Sequence, residues 1–184
     1  MTMPGTALEY PVRVLFLCTG NSARSQIAEA LLRKKGGDRF IVGSPGANPA
    51  ADIRPEAITA LGSLGIDWSK HKPKGYDAVA GTQWDIVITL CDRVKESCPA
   101  LPTRPVTAHW GVPDPSEIND ARRRQTAFSE TVALLSWRID LMLALRIDQF
   151  ESWVLEQRLR GIATETAPRS AAPTATDPHT TQLR

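Results

Sequence analysis

Val12-Arg13-Val14-Leu15-Phe16-Leu17, followed without a break by Cys18-Thr19-Gly20-Asn21-Ser22-Ala23-Arg24-Ser25, decides the architecture of this chain. The first six residues are an apolar run interrupted only by Arg13, as expected of a central parallel strand buried on both faces. Gly20 then supplies a turn. From Ser25 the apolar residues Ile27, Ala28, Ala30, Leu31 and Leu32 recur at helical spacing, until Gly36 and Gly37 stop the helix behind its basic end Arg33-Lys34-Lys35. The unit reads as strand, tight turn, helix.

Downstream, Phe40 to Gly43 is a short second strand leading into the loop Ser44 to Pro49. Pro55 opens a helix whose buried stripe is Ala57, Ile58, Leu61 and Leu64, closed by Gly65. Asp85 to Leu90 reads as a third buried strand and Pro105 to His109 as a short fourth. A long helix is expected from about Asp120 to Leu145, continuing towards Arg160. Short strands alternating with helices imply an α/β three-layer sandwich, a four-stranded parallel sheet with helices on both faces and right-handed crossovers. Ligands in such sheets sit beyond the carboxyl ends of the strands. The expected organisation is an N-terminal extension over 1–11, one domain over 12–160, and a disordered tail over 161–184, where Ala, Pro and Thr dominate and large apolar side chains are scarce.

The 184 residues, 42% hydrophobic, suffice for one domain with a real core. A formal net charge of +2 gives no field for holding nucleic acid or an anionic membrane, so attraction for anions must be local. No apolar run reaches the roughly 20 residues that span a bilayer, and Met1 to Tyr10 lacks the basic patch and apolar core of a secretion signal. The chain is therefore read as a cytoplasmic monomer. Three cysteines in a reducing compartment point to catalysis, redox exchange or metal binding rather than to lasting structural disulfides.

The segment Cys18 to Ser25 lies where such folds hold anions. Successive backbone N–H groups of Thr19, Gly20, Asn21, Ser22, Ala23, Arg24 and Ser25, with the open amides of the helix start, form a nest for a tetrahedral dianion. Arg24 can add two parallel charge-assisted hydrogen bonds. The same positive surroundings are expected to lower the Cys18 pKa and supply a thiolate nucleophile. The Ser25 hydroxyl could donate to that thiolate, and Asn21 could hold the loop through local side-chain-to-backbone bonds. A buried strand-end thiol, a Gly-Asn turn and a capping serine would give the same letters, as would a plain Pro-Asp-Pro turn at Asp114.

The stretch Cys18 to Ser25 resembles the signature loop of low-molecular-weight tyrosine phosphatases and of the arsenate reductases built on the same fold, over most of 12–145. The resemblance implies Cys18 as nucleophile, Arg24 as oxyanion clamp and Asp114, before Pro115, as general acid. Thr89-Leu90-Cys91, Cys98-Pro99-Ala100-Leu101-Pro102 and His109-Trp110-Gly111 are similar to the thioredoxin-coupled arsenate reductases specifically. That likeness implies arsenate as substrate and a relay in which a Cys18–Cys91 disulfide is replaced by a Cys91–Cys98 disulfide, reduced by thioredoxin or another small dithiol protein. A phosphotyrosine phosphatase using Cys18, Arg24 and Asp114 is the alternative, disfavoured by the scarcity of tyrosines for an aromatic substrate slot. A further reading is a non-enzymatic oxyanion-binding or redox-sensing module.

If Asp92 to Ser97 is helical, Cys91 and Cys98 lie about 10 Å apart along its axis, beyond the roughly 7 Å Cα separation that a disulfide tolerates. The relay then requires this segment to unwind. Two cysteines seven apart, with only His71, His109 and His179 elsewhere, lack the spacing of a structural zinc site, and no cofactor is expected. Some reductases of this kind bind potassium at positions resembling Asn21, Glu29 and Ser44 plus a carboxylate that here falls near Lys74. A lysine there would repel the cation and neutralise Glu29, so no potassium is expected.

Overall fold

The computed structural model describes residues 7–95, 101 and 103–165, with backbone alone at 94 and 95; Cys98, residues 1–6 and the tail from 166 lie outside the described residues. Strand β1 (Val12–Leu17) is fully buried except at Arg13, whose backbone N–H is held by Asp85 Oδ2 at 2.8 Å. It pairs in parallel with β2 (Phe40–Gly43) on one side and β3 (Ile86–Thr89) on the other. β3 pairs in parallel with β4 (Val106–His109), giving the order β2-β1-β3-β4. The expected four-stranded parallel sheet is therefore present, its third and fourth strands each slightly shorter than the apolar runs that contain them.

Alternate residues of β1 feed two cores, because side chains of a strand point to opposite faces. Val12, Val14 and Phe16 join the larger core with residues of α1 (Arg24–Gly36), α2 (Pro55–Gly62), α4 (Ala121–Ala144) and α5 (Ser152–Ile162). Leu15 and Leu17 join Val79, Trp84, Val87, Cys18 and Cys91 in a smaller one. Among the described residues this face is covered by the 76–84 connection, with Leu101 also packed against the cluster. Gly43 lets the connection approach, since a Cβ there would come within 2.6 Å of the Trp84 ring.

The single helix expected to continue past Leu145 is two helices. Leu145 is extended (ψ 137°), a 3-10 turn follows at Ile147–Gln149, and α5 begins at Ser152. No Pro or Gly marks the break. Burial of Ile147 in the larger core turns the chain back, so that α5 packs by β4 through Leu155, Leu159 and Ile162. Trp110, just after β4 and fully buried, donates its indole N–H to the Leu159 carbonyl at 2.9 Å, and Arg138 of α4 donates to the carbonyls of Trp110 and Ala163. Trp110 therefore ties the sheet to the last helix. Trp110→Ala is expected to lower unfolding stability by about 3–5 kcal/mol, measured by denaturant titration of the full chain.

Candidate active site

The carboxyl ends of β1 and β3 open into a cavity of about 620 Å³. Its wall is formed by Cys18 to Arg24, Arg54, the segment Cys91 to Arg93, and Gly111 to Asp114 with Ser116 and Glu117. Cys18, Arg24, Cys91 and Asp114 thus meet at one place, although they come from three separate parts of the chain. Thr19, Gly20, Asn21, Ser22 and Ala23 complete the loop. No aromatic side chain lines the cavity among the described residues.

Asn21 shapes the loop. It has φ 46°, a left-handed conformation that Asn tolerates better than most residues, and its backbone N–H points at Cys18 Sγ at 3.2 Å. Its side chain does more than the local bonding expected of it. Nδ2 donates to Ser25 Oγ (2.9 Å) and Ser44 Oγ (2.8 Å), while Oδ1 accepts from Gln26 Nε2 (2.9 Å) and the Lys74 backbone N–H (2.7 Å). Both donors and both lone pairs are used, fixing the loop to β2's end and to the 72–74 segment. Gly46 bridges to Cys18 from the β2 side, and a Cβ there would lie 2.6 Å from the Thr19 carbonyl and 2.8 Å from Asn21 N.

Ser25 is buried with its Oγ 2.6 Å from Cys18 Sγ, so it serves the sulfur rather than capping the helix; the N-cap is Ala23, which has no side-chain bond. The Ile27 N–H closes on the Ala23 carbonyl at 2.9 Å, and the Ser25 N–H is directed at the Cys18 sulfur. The expectation of a lowered Cys18 pKa is corrected. Cys18 is 3% exposed, and burial pushes its thiol up, outweighing the downward pull of the Ser25 hydroxyl, the Asn21 and Ser25 amides and Arg24. Desolvation wins because a thiolate here loses almost all its water.

Arg24 Nη1 donates to the Val112 carbonyl (2.9 Å) and Nη2 pairs with Asp114 Oδ2 (2.6 Å). Two of its five N–H groups therefore hold the guanidinium against the 112–114 loop, leaving three of the fork to meet a ligand. Asp114 is no plain turn residue, although its other oxygen also accepts from the Ser116 backbone N–H at 3.0 Å. Cys91 is buried at the end of β3, with Sγ 3.4 Å from Thr19 Oγ1, in the same apolar cluster as Cys18. Helix α3 (Asp92–Lys95) follows at once, and the His109 ring lies between Thr89 Oγ1 (2.8 Å) and Asp92 Oδ1 (2.9 Å), on either side of Cys91.

Glu29 is fully buried rather than a solvated surface charge. Ser44 donates to it, and Arg33 Nη2 (2.6 Å) and Lys74 Nζ (3.3 Å) pair with its two oxygens. Lys74 does stand against Glu29; Arg33 joins it, which the sequence reading did not foresee. Arg54 and Gln26 were missed as well. Arg54 carries one signal, a basic residue directly before the Pro55 that starts α2; Gln26 looks like any polar residue of a first helical turn.

Residues 13–150 match the family described as low molecular weight phosphotyrosine protein phosphatase. The chain belongs to that family. Among its relatives, the arsenate reductase of Bacillus cereus is 38% identical over 131 residues, covering 70% of this chain and 97% of the relative. Arsenate reductase 2 of Staphylococcus haemolyticus is 42% identical over 103 residues, covering 56% and 78%. Among solved structures, an arsenate reductase in the phosphate binding state is similar with a TM-score of 0.60 and 26% identity, over 72% of this chain and 97% of that one. The low molecular weight protein tyrosine phosphatase of T. tengcongensis follows at 0.55 and 26%, over 70% and 95%. This phosphatase-family chain thus shares its fold with both reductases and phosphatases.

Two outcomes test the loop. Ser25→Ala removes the strongest downward pull on the Cys18 thiol, so the pH midpoint of Cys18 alkylation should move further up and the rate at pH 7 fall by about 10- to 100-fold, the worth of a hydrogen bond to a charged group. Gly46→Ala should abolish phosphate binding in calorimetry with the far-ultraviolet circular dichroism unchanged, since its methyl group meets backbone of the loop rather than a yielding side chain.

Proposed function

We propose that this chain is a cytoplasmic, monomeric arsenate reductase working through a relay of Cys18, Cys91 and Cys98. The observation that carries the reading is the second thiol: Cys91 is buried beside Thr19, on the wall of the same cavity as Cys18. A phosphatase needs only Cys18, Arg24 and Asp114 for hydrolysis, and a second thiol would serve it only as redox protection. The absence of aromatic lining among the described residues also fits a small inorganic oxyanion better than phosphotyrosine.

Arsenate is held by the loop amides between Thr19 and Ser25 that are not turned to the Cys18 sulfur, and by the free part of the Arg24 fork. The Cys18 thiol proton passes by way of the bound arsenate to Asp114, and the thiolate displaces an arsenate hydroxyl, which takes that proton and leaves as water, giving a Cys18–S–As(V) adduct. A bound dianion competes with Asp114 for Arg24, so binding also releases the acid. Cys91 thiolate then attacks Cys18 Sγ. The S–As bond breaks, its electron pair leaves with arsenic as arsenite, and the two sulfurs are left as a disulfide. Cys98 attacks Cys91, restoring the Cys18 thiolate, and a small dithiol protein such as thioredoxin reduces the Cys91–Cys98 bond. Phosphate has no comparable two-electron reduction by thiols, so the relay would be idle in a phosphatase.

Closing Cys91–Cys98 requires the backbone after Cys91 to leave the helical path of α3, because a helix continued to 98 would separate the two by about 10 Å. Arsenate turnover coupled to thioredoxin, thioredoxin reductase and NADPH is expected for the wild type and is expected to fall to background in both Cys91→Ser and Cys98→Ser. Aryl phosphate hydrolysis, if present, should survive both changes. Arsenate turnover that persists in either variant would defeat the relay, and efficient hydrolysis without arsenate turnover would favour the phosphatase.

A further inference from the structure

A buried chain of amides leads away from the oxyanion loop and ends at Trp68, which does not touch the cavity. Trp68 is 4% exposed, and Gln26 and Asn21 are fully buried. The Trp68 indole N–H donates to Gln26 Oε1 at 2.7 Å. Gln26 Nε2 donates to Asn21 Oδ1 at 2.9 Å and to the Lys72 carbonyl at 3.2 Å. The Trp68 ring is itself pinned: it stacks on His71 with 3.5 Å between centroids and 1° between planes, and the Arg33 guanidinium lies 5.9 Å from its centroid.

This chain has a direction. An indole N–H and a backbone N–H can only donate, and a carbonyl can only accept, whereas a side-chain amide can present either end and a hydroxyl can do both. Trp68 requires the oxygen of Gln26, so the Gln26 NH2 faces Asn21 and Lys72 O. Gln26 and the Lys74 N–H then require the oxygen of Asn21, so the Asn21 NH2 faces Ser25 and Ser44. Each serine receives an N–H; Ser44 passes its own proton to Glu29, and the Ser25 proton is left for Cys18 Sγ, 2.6 Å away. With the Asn21 amide turned over, its oxygen would compete with the sulfur for the single Ser25 proton.

We propose that Trp68, acting through Gln26 and Asn21, is a positioning residue for the nucleophile: it holds the donor direction of the network so that the Ser25 hydroxyl is aimed at Cys18. The proposal rests on Cys18 being the nucleophile but holds equally for arsenate and for a phosphoester. Its position explains why a tryptophan some 40 residues downstream of the loop is buried against α1. Lys74 N–H supports the same orientation of Asn21, so loss of Trp68 weakens the polarity without reversing it.

The test is the pH dependence of Cys18 alkylation by iodoacetamide in the full-length protein, with the Cys18 adduct quantified by peptide mass spectrometry. This readout does not depend on arsenate turnover, so it stands whether or not the relay does. Trp68→Phe keeps the ring for stacking on His71 and removes only the donor; Gln26→Met keeps the length and removes the amide. Each is expected to move the alkylation midpoint to higher pH and slow the reaction at pH 7 by roughly three- to tenfold, the effect of weakening one hydrogen bond. In a Ser25→Ala background neither should shift the midpoint further, since the effect travels through that hydroxyl. Unchanged midpoints in both single variants, or shifts as large in the Ser25→Ala background, would overturn the proposal.

Discussion

The rest of the site depends on the saturation of one buried amide. Asn21 holds a left-handed backbone in the loop, and its four hydrogen-bonding positions are all filled, two by Ser25 and Gln26 at the start of α1 and two by Ser44 and Lys74 from distant segments. A buried amide that loses a partner is penalised by about 1–3 kcal/mol, so the loop, the end of β2 and the 72–74 segment must move together or not at all. That shared constraint keeps the backbone N–H groups convergent before any anion arrives. An oxyanion site gains from such preorganisation because its dipoles need no rearrangement at the moment charge develops.

The same enclosure sets a tension at Cys18. Withdrawing the sulfur from water disfavours the thiolate, while Ser25, two backbone amides and Arg24 favour it. Burial is the larger effect, and the Arg24 guanidinium is also engaged with Asp114 and the Val112 carbonyl. Cys18 and Asp114 are therefore coupled through Arg24. The charge balance at the site belongs to the group and not to any one residue.

A second coupling runs across the sheet. Cys18 follows β1 directly and Cys91 lies just past β3, neighbouring strands in parallel register, so the two thiols emerge on one edge and pack in one apolar cluster. His109, at the end of β4, then brackets Cys91 by reaching Thr89 and Asp92. Three adjacent strands in a row thus deliver Cys18, Cys91 and the His109 bracket to one rim, where ligand sites of parallel sheets form.

The sequence alone determined what is local. The apolar run Val12–Leu17, the turn and the helical spacing after Ser25 specify strand, loop and helix because side-chain periodicity and glycine punctuation act over a few residues. The convergence of Cys18, Arg24 and Asp114 was legible too, through a motif whose spacing is tied to its fold. Tertiary structure alone decided the rest. The break after Leu145 carries no Pro or Gly and follows from burial of Ile147; the upward push on the Cys18 thiol comes from enclosure that no neighbouring residue encodes. Gln26 and Trp68 are 42 positions apart, and nothing in either one's surroundings announces a hydrogen bond between them. Burial and hydrogen-bond direction are properties of how distant segments meet, and those become readable only once the chain has closed on itself.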